Sequence, residues 1–388
     1  MEAPAASSAS QAPVAAAAAS APDPDELFGG IDLSGRERIV VAVSGGSDSL
    51  ALLLLLKRYL DTSGGKVLPL AVTVDHRLRP QSADEARRVR EIAGGAGIAH
   101  RIVSWEGAKP ATGISAAARE ARHGLLAGAA REAGADIVLT GHTMDDQAET
   151  VAMRRLRGEG RGAAGIAPAT LFDASCWFVR PLLQTRRVAL RRFLTGVGQD
   201  WADDPSNIDR RFERARMRAE LADAEVERLA AEAAIAGAAR EALGRRAAVL
   251  MRAHAGMAAS GLVRLDKAFA AAEDREAALY ALRILLSAVG GREHLSDAER
   301  AATLLDRLAA SPGRATLSRC LVERRRGEVL IRRERRGKEA GAAPTPTLGP
   351  WTRYLPSFDL EPARATAELL GAAQIPPSPW ANHNRPGA

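Results

Sequence analysis

The apolar run Ile39-Val-Val-Ala-Val43 breaks off into Ser44-Gly-Gly-Ser-Asp-Ser49, and a leucine-rich stretch follows from Leu50 to Leu56. That order predicts a buried parallel strand, a tight loop and a helix. A loop so placed lies at a helix N-terminus, where unpaired N–H groups and the positive dipole end attract an anion. Gly45 and Gly46 admit a close backbone approach, and Ser44, Ser47 and Ser49 add hydroxyl donors. Asp48 would repel a bare phosphate, so its presence points to a bridging Mg²⁺. A first-turn acid is also ordinary helix chemistry, which leaves a plain strand–helix turn as the alternative. No Gly-x-x-x-x-Gly-Lys-Ser/Thr occurs, so this is not a Walker A loop.

A second constellation lies in Gly141-His-Thr-Met-Asp-Asp-Gln-Ala-Glu-Thr150. On a helix Asp146 faces Glu149 three positions on, and Asp145 faces Glu149 four positions on. Clustered carboxylates cost stability unless they hold a cation. The alternative is helix-start chemistry, with Thr143 and Asp146 forming a capping box. Asp75-His76 ends another apolar run, either at the rim of a nucleotide site or as a local turn. Arg119 and Arg122 share a helix and could meet phosphates, a substrate carboxylate or Glu120. Gly160-x-Gly162-x-x-Gly165 matches the dinucleotide fingerprint formally but follows a helix, not a strand. A glycine-rich loop bearing Arg157 and Arg161 suits an RNA backbone better.

The chain that positions these groups has 388 residues, enough for two or three domains with real cores. Its formal charge is +7, and residues 1–35 hold five acids with no Lys or Arg, so the rest is more basic still. A basic body favours a polyanionic partner such as RNA. Cys176 and Cys320 form no C-x-x-C pair, which argues for a reducing cytosol without a disulfide framework, zinc knuckle or cysteine-held cluster. The seven histidines show no metal-ligand spacing, and no apolar run is long enough to span a membrane. The protein is therefore expected in the cytoplasm.

Strands are predicted at Ile39–Val43, Leu68–Val74, His100–Val103, Ile137–Thr140 and Cys176–Val179, with helices starting near Asp48, Ser82, Ile114, Thr143 and Thr185. This alternation over residues 36–219 predicts an α/β fold with a doubly wound parallel sheet and ligands at the strands' carboxyl ends. Residues 1–35, rich in Ala, Ser and Pro, read as a disordered tail, and 220–310 as a helical domain without strands. Residues 311–388 read as a small C-terminal domain. It has a hairpin around Arg324-Arg-Arg-Gly327, a linker from Gly337 to Pro350 and a poorly defined tail with Trp351, Tyr354 and Trp380. Between Arg186 and Arg218 nine arginines stand against five acids, which fits either phosphate contacts or a salt-bridged helix.

The loop Ser44–Ser49 resembles the pyrophosphate loop of the N-type ATP pyrophosphatases, whose pattern Ser-Gly-Gly-x-Asp-Ser is complete here. Further segments resemble one family within that superfamily, the tRNA(Ile)-lysidine synthetases. Val74-Asp-His-Arg-Leu-Arg-Pro-Gln-Ser82 matches its V-D-H-x-L-R-x-x-S, and Ala118-Arg-Glu-Ala-Arg122 its A-R-x-x-R. The acidic segment matches G-H-x-x-D-D-Q-x-E-T, while Asp204–Asn207 and Arg211–Arg218 are similar to D-x-S-N and R-N-x-x-R, with Ala215 in place of Asn. The resemblance implies a PP-loop fold and an ATP-dependent ligase acting on the wobble cytidine of isoleucine tRNA with a CAU anticodon. In such an enzyme ATP adenylates the cytidine 2-carbonyl oxygen, pyrophosphate leaves, and the ε-amine of free L-lysine displaces AMP.

The expected ATP site is Ser44, Gly45, Gly46, Ser47, Asp48, Ser49, Asp75 and His76, with Mg²⁺ on Asp48. The expected lysine site is Arg122, His142, Asp145, Asp146 and Glu149. Asp48, Asp146 and Glu149 are the candidate catalytic groups. Arg157, Arg161, Arg214, Arg218, Arg324, Arg325 and Arg326 are the expected tRNA contacts, and a homodimer is compatible with all of this. The rivals are a tRNA cytidine 2-thiolation enzyme using the same activation, and a non-catalytic RNA-binding protein with a degenerate nucleotide site.

Overall fold

The computed structural model describes residues 21–77, 82–158, 161–202, 213–334, 348 and 352–380. A helix α1 (Pro24–Phe28) precedes β1 (Arg38–Ala42), α2 (Ser47–Thr62), β2 (Leu68–Asp75), α3 (Ser82–Gly95) and β3 (Ala99–Ser104). Then come α4 (Ile114–Glu132), β4 (Ile137–Leu139), α5 (Met144–Arg155), β5 (Ala169–Phe172), β6 (Cys176–Val179), α6 (Arg187–Gly196) and α7 (Glu213–Glu220). These strands lie in a seven-stranded sheet of order β12-β5-β6-β4-β1-β2-β3, completed late in the chain by β12 (Tyr354–Pro356). β1 pairs in parallel with both β2 and β4, β2 with β3, and β4 with β6, whereas β5 and β12 add antiparallel at one edge.

Alternation along β1 explains how the sheet is covered on both faces. Ile39 and Val41 point into a core with the leucines of α2, while Val40 and Ala42 point to the opposite face, with Leu126 and Ala130 of α4. Leu50, Leu52, Leu53, Leu55 and Leu56 are all buried, each contributing about 1.5–3 kcal/mol. The chain leaves β1 toward β2 and β3, then returns to place β4 on β1's other side. The loops after β1 and β4 therefore lie next to each other at the switch point, where open α/β sheets bind ligands.

The second body is built on α8 (Asp223–His254), with β7 (Ala255–Ala259), β8 (Leu262–Asp266), α9 (Lys267–Ala270), α10 (Arg275–Gly290) and α11 (Ala298–Ala310). β9 (Gly313–Leu317), β10 (Cys320–Arg324) and β11 (Glu328–Arg333) follow, and α12 (Leu360–Leu370) comes after β12. The hairpin expected around Arg324–Gly327 is present as β10–β11. It is part of a five-stranded antiparallel sheet, β7-β8-β11-β10-β9, so the strand-free reading of 220–310 is corrected. Ala255-Gly-Met-Ala-Ala259 has no β-branched residue, and tertiary pairing rather than propensity makes it a strand.

The boundary at 310 is corrected with it, because strands from both sides share one sheet and one core. The segment from Tyr354 to Leu370 ties the two bodies together: β12 joins the first sheet, Ala363 and Ala367 of α12 enter the first core, and Ala365 enters the second. The tail reading also stops short of residue 24. Asp23 caps α1, Leu27, Phe28 and Ile31 are buried in the first core, and Phe28 meets the Tyr59 ring at 5.5 Å. Ile31 bridges to Trp380, so both of these apolar residues pack where a tail was expected. Residues 1–20, nearly all of the Gly337–Pro350 linker, and Trp351 lie outside the described residues.

Candidate active site

β1 delivers the chain into a turn in which Gly45 has φ +83°, a conformation that favours glycine. Gly46 then caps α2 without any side-chain hydrogen bond, so the first N–H groups of a 16-residue helix remain open to an anion. The serines divide their work. The Ser49 hydroxyl accepts from Ser44 N–H (3.1 Å) and donates to the Gly46 carbonyl (3.1 Å), bracing the loop from within. Ser47 Oγ donates to Asp48 Oδ1 at 3.0 Å. Gly141, the first residue of the acidic motif, packs against the loop backbone: a Cβ there would lie 3.0 Å from the Asp48 carbonyl and the Ser49 nitrogen. Two motifs almost a hundred residues apart in sequence thus form one surface.

Asp146 of α5 faces the loop, and the capping-box reading of it holds. Its Oδ2 accepts from Thr143 N–H at 2.8 Å and completes the capping box. Its Oδ1 turns to the pocket and meets Arg187 Nη2 at 3.2 Å. Arg187, the first residue of α6, also donates from Nε to Asp48 Oδ2 at 2.9 Å and lies 3.5 Å from Glu149 Oε1. Glu149 is 1% exposed, and Arg214 Nε (2.9 Å) and Arg218 Nε (2.7 Å) donate to it. Asp145 accepts from Arg187 N–H at 2.7 Å and lies 3.5 Å from Arg186.

Arginines from α6, its cap and α7 thus neutralise the α5 acids, and Arg214 and Arg218, expected on tRNA, pair with Glu149. Arg187 was hidden within a basic run; its place directly after a helix-start Thr185-Arg186 was the available signal, and only the fold pairs it with acids from two other motifs.

Charge follows the geometry. Burial pushes the Asp48 carboxyl above its ordinary range despite the opposing Arg187. Burial pushes Asp146 the same way, but Arg187, His142 and Arg214 outweigh it and leave Asp146 below that range. Burial also works against the Arg187 charge, and Asp146 and Asp48 more than offset it, so its proton is held firmly. His142 is driven well below its ordinary value by burial and by Arg180, making it a neutral ring at pH 7, with Nδ1 3.1 Å from Thr140 Oγ1.

The loop, His142, Asp146, Arg187, Arg122, Arg214 and Arg218 enclose a pocket of about 300 Å³. Arg122 enters it with no hydrogen-bond or ion-pair partner among the described residues. Asp75 and His76 stand one strand over, at the end of β2, and do not line it: Asp75 accepts from Arg77 N–H at 2.8 Å as a local turn, and His76 packs on Trp105. Among the described residues no cluster of three or more His, Cys, Asp or Glu could cage a metal. One carboxylate beside a hydroxyl still fits Mg²⁺, which takes one or two carboxylates and completes its shell with substrate phosphates and water.

Arg157 pairs with Glu213, and the Arg161 side chain lies outside the described set. Arg324, Arg325 and Arg326 sit on the second sheet around the β10–β11 turn, where Arg325 Nε is 3.2 Å from Glu323, and none of them lines this pocket. No helix among the described residues is long and apolar enough to cross a membrane.

A family model described as a PP-loop domain matches residues 22–225. A tRNA(Ile)-lysidine synthase of Mesorhizobium japonicum is 42% identical, covering 92% of this chain and 97% of its own length. Those of Rhizobium meliloti (40% identical, 81% of this chain and 71% of the relative) and Brucella melitensis (42%, 81% and 72%) follow. With a PP-loop domain over residues 22–225 and 42% identity across 92% of its length to one such enzyme, the chain is an ATP-using ligase of the tRNA(Ile)-lysidine synthase family.

Proposed function

We propose that the chain joins free L-lysine to the wobble cytidine of isoleucine tRNA bearing a CAU anticodon, consuming ATP in two steps. The observation that carries this reading is the convergence of an open phosphate-binding loop and Asp146 of α5 in one pocket of about 300 Å³. The cytidine 2-carbonyl oxygen attacks the α-phosphorus of ATP and pyrophosphate leaves toward the N-terminus of α2. Ser44, Gly45, Gly46 and Ser47 supply the donors, and Arg191, which donates to Ser47 Oγ at 3.4 Å, lies at the same wall. Mg²⁺ beside Asp48 would neutralise charge developing on the departing pyrophosphate. Asp75 and His76 remain the candidates for the nucleoside end of ATP.

The lysine ε-amine then attacks the activated carbon, the bond to the AMP oxygen breaks, and the amine's surplus proton leaves. An amine with an unperturbed pKa of about 10.4 must first become neutral. Asp146, held in its ionised form by Arg187, suits an anchor for the amine better than a base. The guanidiniums of Arg187, Arg214 and Arg218 disfavour an ammonium beside them and so favour the neutral nucleophile. Arg122 is free to take the lysine carboxylate. Thiolation is disfavoured because Cys176 and Cys320 are buried and their thiols are pushed up to about 12 by burial, far from a reactive thiolate.

Pyrophosphate release and tRNA labelling, measured with ATP, unmodified tRNA and each amino acid in turn, test the reading. Lysine alone should label the tRNA. Pyrophosphate release with no transfer of any amino acid would remove it.

A further inference from the structure

Behind the loop pocket, across a wall made by His142 and Arg214, lies a second cavity of about 680 Å³. Arg119, Arg154, Arg157, Arg180, Arg214 and Arg240 line it against one carboxylate, Glu120. Most of these arginines are occupied: Arg154 donates to the Gly162 and Gly165 carbonyls, and Arg240 pairs with Asp359 at 3.0 Å. Arg180 is different. It is 4% exposed, and among the described residues its Nη1 donates only to the Ala167 and Phe178 carbonyls and Thr170 Oγ1, while its Nε has no partner. Burial together with Arg119 and Arg122 pulls its pKa down to about 9. Arg119, exposed at the rim, has no ion-pair partner among the described residues. A buried guanidinium without a carboxylate is costly, and an anionic ligand would offset that cost.

The far wall comes from the segment after residue 350. Tyr354 and Phe358 face the cavity, and Arg240 with the Tyr280 hydroxyl (2.9 Å) anchors the adjoining Asp359. Aromatic faces opposite unpaired guanidiniums are the elements that recognise an unstacked nucleotide. Resting on the reading of the chain as a ligase acting on a tRNA anticodon, we propose that this cavity receives a nucleotide flanking the reactive cytidine. Arg119 and Arg180 take its phosphate, and Tyr354 and Phe358 take its base. The neighbouring loop pocket keeps the cytidine, ATP and lysine. The segment Tyr354–Phe358 thereby becomes part of the substrate site although it lies outside the matched PP-loop domain.

The full-length protein is tested with an anticodon stem-loop RNA carrying 5-iodouridine on either side of the wobble cytidine. Irradiation should attach the RNA to a peptide containing Tyr354 or Phe358. Arg119→Ala, an exposed change that breaks no ion pair, should weaken stem-loop binding severalfold and reduce its salt slope by about 0.7 while leaving ATP binding unchanged. Arg180→Met should weaken it further. No crosslink within 354–358, or unchanged RNA binding in both variants, would overturn the proposal. So would a rise in lysine KM with RNA binding intact, which would make the cavity a carboxylate site. Crosslinking that succeeds in a protein unable to transfer lysine would instead retire the ligase reading and leave the RNA site standing.

Discussion

The two cavities share a wall and a basic character, yet their arginines are in opposite states. In the loop pocket Arg187, Arg214 and Arg218 are matched to Asp48, Asp146 and Glu149 at 2.7–3.9 Å. At the edge of that pocket and behind it, Arg122, Arg119 and Arg180 meet no carboxylate among the described residues. Matched buried charges hold a shape, because removing one partner strands the other. Unmatched ones hold a potential, available to whatever anion arrives. Arginine content alone reports neither; partner geometry separates architecture from recognition.

The largest effect should come from Glu149→Gln. Three guanidiniums would lose a carboxylate that is almost fully buried, costing about 3–5 kcal/mol and lowering the melting temperature by several degrees. Pyrophosphate release and lysine transfer should fall together. If transfer alone suffers while stability is kept, Glu149 is a lysine ligand and not the keystone of the matched set.

Asp48→Ala should reduce pyrophosphate release by about 10²–10³-fold, a loss typical of removing one preorganised electrostatic group. Binding of tRNA should be nearly intact, since Asp48 faces the loop pocket alone. Release at the wild-type rate under saturating Mg²⁺ and ATP would take it out of the mechanism.

Arg122→Gln sharpens the contrast from the other side. An arginine without a carboxylate partner among the described residues leaves no acid stranded, so the melting temperature should hold or rise while lysine KM increases about tenfold. Calorimetric unfolding alongside steady-state kinetics separates the two effects, and a large loss of stability would put Arg122 with the matched group.

The smallest effect concerns pH. His123, buried beside Phe178 and Tyr354 at the second cavity, has its pKa lowered to about 4, chiefly by burial. The unfolded chain, near 6.5, binds the proton first, so stability should fall as pH drops from about 6.5 toward 4. His123→Phe should flatten that part of the melting profile without altering the profile above pH 7. An unchanged slope would assign the acid sensitivity to His100, whose pKa is likewise lowered to about 4.

What could be read from sequence was whatever is local. Ser44–Ser49 and Gly141–Thr150 are contiguous, and an apolar run leading into each gave its place at a strand's carboxyl end. The partners of those motifs were not local. Arg187 is 139 positions from Asp48, and Arg218 is 69 from Glu149. No periodicity links them, so the pairing of Arg214 and Arg218 with Glu149 was not legible. Phe28 and Ile31 were concealed by an acidic, Ala-rich neighbourhood, and Tyr354–Pro356 by its three-residue length. In each case a short apolar segment became ordered because a large core was already there to receive it.

The pairing of Ile31 with Trp380, and the donation of Asp32 N–H to the Pro379 carbonyl at 2.7 Å, sets an order of assembly. Residues 31 and 32 wait for residues near 380 before their backbone is satisfied, and the edge of the first sheet waits for Tyr354. At roughly 5–20 residues per second, that wait is tens of seconds during which β5 presents an open edge. Nascent chains halted before residue 354 should therefore be aggregation-prone and unable to modify tRNA, even with every residue of the loop pocket already synthesised.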